Sequence, residues 1–168
     1  MSAKHYIYDD RFVGETCNLL YVNTSGGESM IEIIAGEKGK GKTKHLLDKV
    51  NASVKKAKGS IVYLDKSPKH MYELNNQIRL IDVAEFPINN CDEFMGFLCG
   101  IISQDHDIEE MYLDSFLTIS NIKDDEMTHA IQKLDIISET FSVKIVLSVA
   151  KNESDLPDCA KAKLILSL

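Results

Sequence analysis

The 168-residue chain carries a net charge of −7, with 44% hydrophobic and 27% charged residues. That composition suits one soluble globular domain, large enough to build a core without disulfide or metal staples. The acidic balance argues against a general nucleic-acid binder, and no membrane-length apolar run or signal peptide appears, which argues against membrane insertion.

Cys17, Cys91, Cys99 and Cys159 form no C-x-x-C pair. They read as free thiols in a reducing cytoplasm, buried as small hydrophobes. Only Arg11 and Arg79 are arginine among 19 basic residues. Arginine is the usual donor to transition-state phosphate charge, so its scarcity bears on catalysis.

Residues 1–29 differ in character from the remainder of the chain. Tyr6-Ile7-Tyr8 and Cys17 to Val22 read as weak strands, and Thr24 to Ser29 is a turn-rich break. Two readings fit: an N-terminal extension, or a natural start at Met30. Codons for Ser25-Gly26-Gly27-Glu28 can spell a purine-rich AGGAGG tract just upstream of Met30, as a ribosome-binding site would. On the second reading the domain is 30–168 and the first 29 residues carry no function.

Ile31 to Ala35 is a short apolar, β-branched run that predicts a buried strand. Gly36-Glu37-Lys38-Gly39-Lys40-Gly41-Lys42-Thr43 comes next and matches G-x-x-x-x-G-K-[ST] at every fixed position. Leu46, Leu47, Val50, Val54 and Ala57 then recur at helical spacing, with Gly59 as the stop. Strand, glycine-rich loop and helix together aim a helix N-terminus at an anion. The stretch reads as a phosphate-binding P-loop, with Gly36 to Lys44 as nucleotide contacts. Lys42 would reach the outer phosphates and the Thr43 hydroxyl would ligate Mg²⁺.

Ile61 to Asp65 predicts a second strand, and Ser67-Pro68 a helix start carrying Met71, Leu74 and Ile78. Ile78 to Val83 predicts a third strand. Asn90 and Glu93 make a capping-box start for a helix bearing Phe94, Phe97, Leu98, Ile101 and Ile102. Met111 to Asp114 reads as a strand, and a helix from about Asp124 carries Met127, Ala130, Ile131, Leu134, Ile137 and Phe141 on one face. Val143 to Val149 and Leu164 to Leu168 complete the strands. Such alternation implies a three-layer α/β sandwich around a mostly parallel sheet.

Ligands of such sheets sit at the carboxyl ends of the strands. That narrows partners of the loop to Asp65, Val83-Ala84, Asp114-Ser115 and Ser148 to Asn152. Asp114, closing an apolar strand, suits the carboxylate behind a Thr43-bound Mg²⁺. Asp65 is the runner-up, and Asp82 sits inside its strand.

Gly36 to Thr43, Tyr63-Leu64-Asp65, Leu113-Asp114-Ser115 and Val146-Leu147-Ser148 fall in an order that resembles RecA-like P-loop ATPases, a group that includes recombinases, replicative helicases and circadian-clock ATPases. The resemblance covers residues 30–168 and implies three roles. Asp65 would polarise the attacking water, Asp114 would hold Mg²⁺ through water, and Ser148 would sense the terminal phosphate. The chain departs from that pattern: Asp65 is shorter than the usual Glu, Ser115 stands where related ATPases often carry Glu, and DNA-contacting loops are missing. It is also similar to small stand-alone bacterial proteins loosely labelled ATP-binding or twitching-motility-type.

The resulting expectation is a cytoplasmic Mg-ATP-binding protein, a switch or oligomeric subunit whose hydrolysis is slow or partner-dependent. A nucleoside-type small-molecule kinase and a non-catalytic nucleotide-binding module are the alternatives. For want of arginine at the site, Lys151 and Lys123 are the candidates to serve a neighbouring subunit. No N-K-x-D guanine pattern occurs, so ATP over GTP rests on analogy.

Overall fold

The computed structural model describes residues 30–168. The readings placed on the first 29, including both weak strands and Cys17, lie outside the described residues. Six strands, β1 (Ile31–Ala35), β2 (Ser60–Asp65), β3 (Ile78–Asp82), β4 (Ile108–Leu113), β5 (Lys144–Val149) and β6 (Leu164–Ser167), form one sheet. Its order is β3-β2-β4-β5-β1-β6, and every pairing is parallel. The helices are α1 (Lys42–Ser53), α2 (Cys91–Gln104), α3 (Phe116–Ile119), α4 (Met127–Phe141) and α5 (Asp158–Lys161).

Strand alternation divides the core in two. Ile34, Ile61, Tyr63, Tyr112 and Val146 point to one face and pack against Leu46, Leu47 and Val50 of α1. Ile33, Val62, Leu64, Met111, Leu113, Ile145 and Leu147 point to the other, against α2 and α4. Each fully buried aliphatic side chain contributes about 1.5–3 kcal/mol. The α/β class and parallel sheet are therefore as the sequence implies. No helix among the described residues is long and apolar enough to cross a membrane.

Several local expectations need correction. The segment after Ser67-Pro68 is one 3-10 turn, Pro68–His70, rather than a helix, and Ser67 makes no side-chain cap. Its apolar stripe is broken: Met71 is half exposed, Leu74 is partly buried against the core, and the buried Ile78 belongs to β3. Asn51 fixes the segment instead, donating to the Glu73 carbonyl and accepting from the Asn75 amide, both at 2.8 Å.

Gly59 does not stop α1, which ends at Ser53. A Cβ at Gly59 would lie 2.0 Å from the Asp107 carbonyl oxygen, so glycine is required by the close approach of the chain entering β4. Phe141 is largely exposed rather than on the buried stripe of α4. The Asn90 cap of α2 forms as read, with the Glu93 amide donating to Asn90 Oδ1 at 2.9 Å, but the Glu93 carboxylate accepts from the Asn90 side chain and the Asn89 amide, so the reciprocal half of the box is displaced by one residue.

Candidate functional site

From β1 the chain leaves through α1 on one face, while from β5 it leaves toward α5, whose Ala160 packs on the other. Adjacent parallel strands whose connections diverge in this way leave a crevice at their carboxyl ends. The glycine-rich loop starts at this crevice. Across it, Asn152 Nδ2 donates to Glu37 Oε1 at 3.0 Å.

The loop owes its path to its glycines. Gly39 and Gly41 have φ of 88° and 85°, left-handed values that glycine adopts without strain, and a Cβ at either would meet nothing within 4 Å. Gly36 has a different reason: its Cβ would stand 2.8 Å from the Leu168 carbonyl oxygen, so it admits the strand behind the loop. Gly41 caps α1 with no side-chain hydrogen bond, and the first turn holds no acidic residue. Lys42 and Lys44 stand there instead, against the helix dipole.

Lys42 is 9% exposed and its Nζ folds back on the Glu37 carbonyl at 2.8 Å. Burial pushes its ammonium below the usual lysine range, and the charge of Asp114 opposes that shift. Glu37, Lys38, Lys40 and Lys44 are exposed around it, and Thr43 is half-buried.

Sheet parity assembles the rest. On the α1 face, β2 carries Ile61, Tyr63 and Asp65, and β4 carries Tyr112 followed by Asp114 just past its end. Tyr63 pairs in register with Tyr112, and their rings stack at 6.4 Å. The Asp114 amide donates to the Leu64 carbonyl at 2.9 Å, which holds this turn against β2. Ser148, at the same level on β5, donates to Asp114 Oδ1 at 2.6 Å and accepts from the Ser115 amide at 2.8 Å. Ser115 adopts φ 55° to allow this. Ser148 is fully buried and its one proton is committed to Asp114. Its local role is to position that carboxylate.

Asp65 is 1% exposed. Its Oδ1 accepts from the Lys66 amide at 2.6 Å, whereas Oδ2 has no hydrogen-bond partner. Burial pushes its carboxyl above the ordinary aspartate value, and Asp114 adds to the rise against the Lys66 amide, His70 and Lys69. Tyr63 is buried beneath both carboxylates. Its hydroxyl lies beside Asp114 outside hydrogen-bond geometry, and burial with the two acids drives its phenol far above the usual range.

Thus Lys42, Asp65, Asp114 and Ser148 are drawn toward one end of the sheet. Asp82 does not sit inside its strand as read: it ends β3 in register with Asp65, and its carboxylate accepts from the Ala84 amide at 3.0 Å. Arg79 stands exposed near the amino end of edge strand β3. Lys151 is already paired with Asp124 at 2.9 Å, and Lys123 is exposed beside the same turn. Sequence reasoning missed His70, whose Nε2 lies 4.0 Å from Asp65 Oδ2. The only signal was a histidine five residues beyond the strand-ending acid. Neither a family model nor a curated protein matches the chain.

Proposed function

We propose that the chain binds a nucleoside triphosphate, ATP with Mg²⁺, on the Gly36–Lys44 loop, as a RecA-like P-loop protein with slow or partner-dependent hydrolysis. One observation carries the reading. The N-terminus of α1 lacks any side-chain cap or acid, yet it gathers Lys38, Lys40, Lys42 and Lys44 in a chain of net charge −7. Lysines at that end cost about 0.3–1 kcal/mol each unless an anion stands before them. A purely structural turn supplies no reason for the arrangement.

The residues fit the group. Positive-φ Gly39 and Gly41 leave open space where side chains would intrude, and the buried Lys42 ammonium holds one neutral carbonyl that a phosphate oxygen would replace. Thr43 and Asp114 would hold Mg²⁺, which would neutralise charge developing on the phosphates. Asp65 would accept a proton from, or orient, the attacking water, and its raised carboxyl pKa makes it a better acceptor than an ordinary aspartate. With Ser148 committed to Asp114 and no arginine at this end among the described residues, the isolated chain should turn ATP over slowly.

Calorimetry of the chain with Mg-ATP tests the reading. At about 100 times Kd, linkage supplies ~2.7 kcal/mol, and Lys42→Ala should remove most of it. An equal shift in the variant refutes the assignment of Lys42. Product analysis separates free phosphate from a phosphorylated acceptor.

A further inference from the structure

We propose that Asp65, His70 and Asp114 form a protein-borne site for a divalent transition ion of the manganese, cobalt and zinc class, filled without nucleotide. One donor atom of each residue lies within 4.8 Å of the other two. The site shares Asp114 with the nucleotide reading but needs neither the loop nor a phosphate.

Two independent features separate this trio from a chance cluster of acids. The first is the orphaned pair of atoms facing each other. Asp65 Oδ2 and His70 Nε2 are both buried, both lack a hydrogen-bond partner, and stand 4.0 Å apart. That gap is too long for a shared proton, for which about 2.7–3.2 Å is needed. Leaving such buried groups unpaired is unfavourable. A cation that accepts a lone pair from each would satisfy both atoms.

The second is the far side of the imidazole. His70 Nδ1 meets Glu73 Oε1 at 2.6 Å. Assigned from that carboxylate partner, the ring carries its proton on Nδ1 and turns the Nε2 lone pair toward Asp65. A carboxylate behind the distal nitrogen is the arrangement that fixes tautomer and orientation in metal-bound histidines. One imidazole and two carboxylates suit manganese, cobalt or zinc better than magnesium, which favours an all-oxygen shell. Donors about 2.0–2.2 Å from an ion stand roughly 3–3.5 Å apart, so these three draw in by about 1 Å on binding.

Cobalt titration of the full, reduced, nucleotide-free chain, followed by visible absorption and calorimetry, tests this. The expected result is one ion per chain, with no near-ultraviolet thiolate band. His70→Asn should weaken binding roughly 10–100-fold and Glu73→Gln about tenfold, while His129→Asn leaves it unchanged. Unaltered melting without metal shows that each variant is folded, and a misfolded His70→Asn passes the decision to Glu73→Gln. No saturable binding, a thiolate band, or equal affinity in both His70→Asn and Glu73→Gln overturns the site. A retained Mg-ATP shift in the same preparations would leave the nucleotide reading standing while this one falls.

Discussion

Asp65→Asn should stabilise the nucleotide-free, metal-free protein while impairing its chemistry. In the native chain the Asp65 carboxyl is 1% exposed with one oxygen unpartnered, on a strand next to Asp114, and burial opposes its charged form. The substitution keeps Oδ1 for the Lys66 amide and puts an amide donor where Oδ2 faced the His70 lone pair. Relief of one unsatisfied buried group is worth about 1–3 kcal/mol. For a chain of this size that raises Tm by roughly 3–10 °C. Scanning calorimetry in chelator at pH 7 reads it directly. The sign with pH comes from the raised carboxyl: its contribution to stability is fully present below 3.8 and is lost as pH rises through the higher folded value. Native and variant curves should therefore converge in acid. Equal or lower Tm for Asp65→Asn at pH 7, or a difference that does not narrow in acid, would refute the reasoning.

Asp114→Ala should abolish the Mg²⁺ dependence of ATP binding and leave metal-free binding near its native level, as titrations with and without the ion will show. Gly59→Ala should cost about 1–3 kcal/mol in urea melts, because its Cβ would sit 2.0 Å from the Asp107 carbonyl, yet leave ligand affinity unchanged at the opposite end of β2. Glu32 lies 2.6 Å from Lys144 and 2.8 Å from Lys49. Burial works to raise its carboxyl, but the two lysines together hold it below 4.5. Its contribution is fully present above 4.5 and lost as pH falls through the folded value, so Glu32→Gln should cost roughly 1 kcal/mol at pH 7 and nothing in strong acid.

What was legible in the sequence was what short-range chemistry encodes. Ile31 to Ala35 advertises a buried strand, the glycine spacing a left-handed loop, and Asn90 with Glu93 a helix start. Asp65 and Asp114 were found because apolar strands end on them, and strand parity then sets both on the α1 face. His70 was hidden because a three-residue stripe, Met71, Leu74 and Ile78, mimicked a helix, whereas tertiary bonds from Asn51 settle that stretch. Gly36 and Gly59 were visible as glycines, but the carbonyls that require them, Leu168 and Asp107, are distant in sequence. The part of Ser148 as a clamp on Asp114 depends on β4 and β5 being neighbours, a pairing that no local pattern specifies.

The place of β1 in the sheet also dictates when the loop can exist. Ile31 is paired with Ile145 and Ile33 with Leu164, so the strand that launches the loop has only partners made more than a hundred residues later. Strands β2, β3 and β4 with α2 can assemble from contacts within the middle of the chain, but β1 has no neighbour there. Closing so long a loop before the pairing stabilises anything is slow. During synthesis the glycine-rich loop therefore takes its place last, after β5 and β6 leave the ribosome. A ligand held on that loop, as proposed, would in effect report that folding is complete.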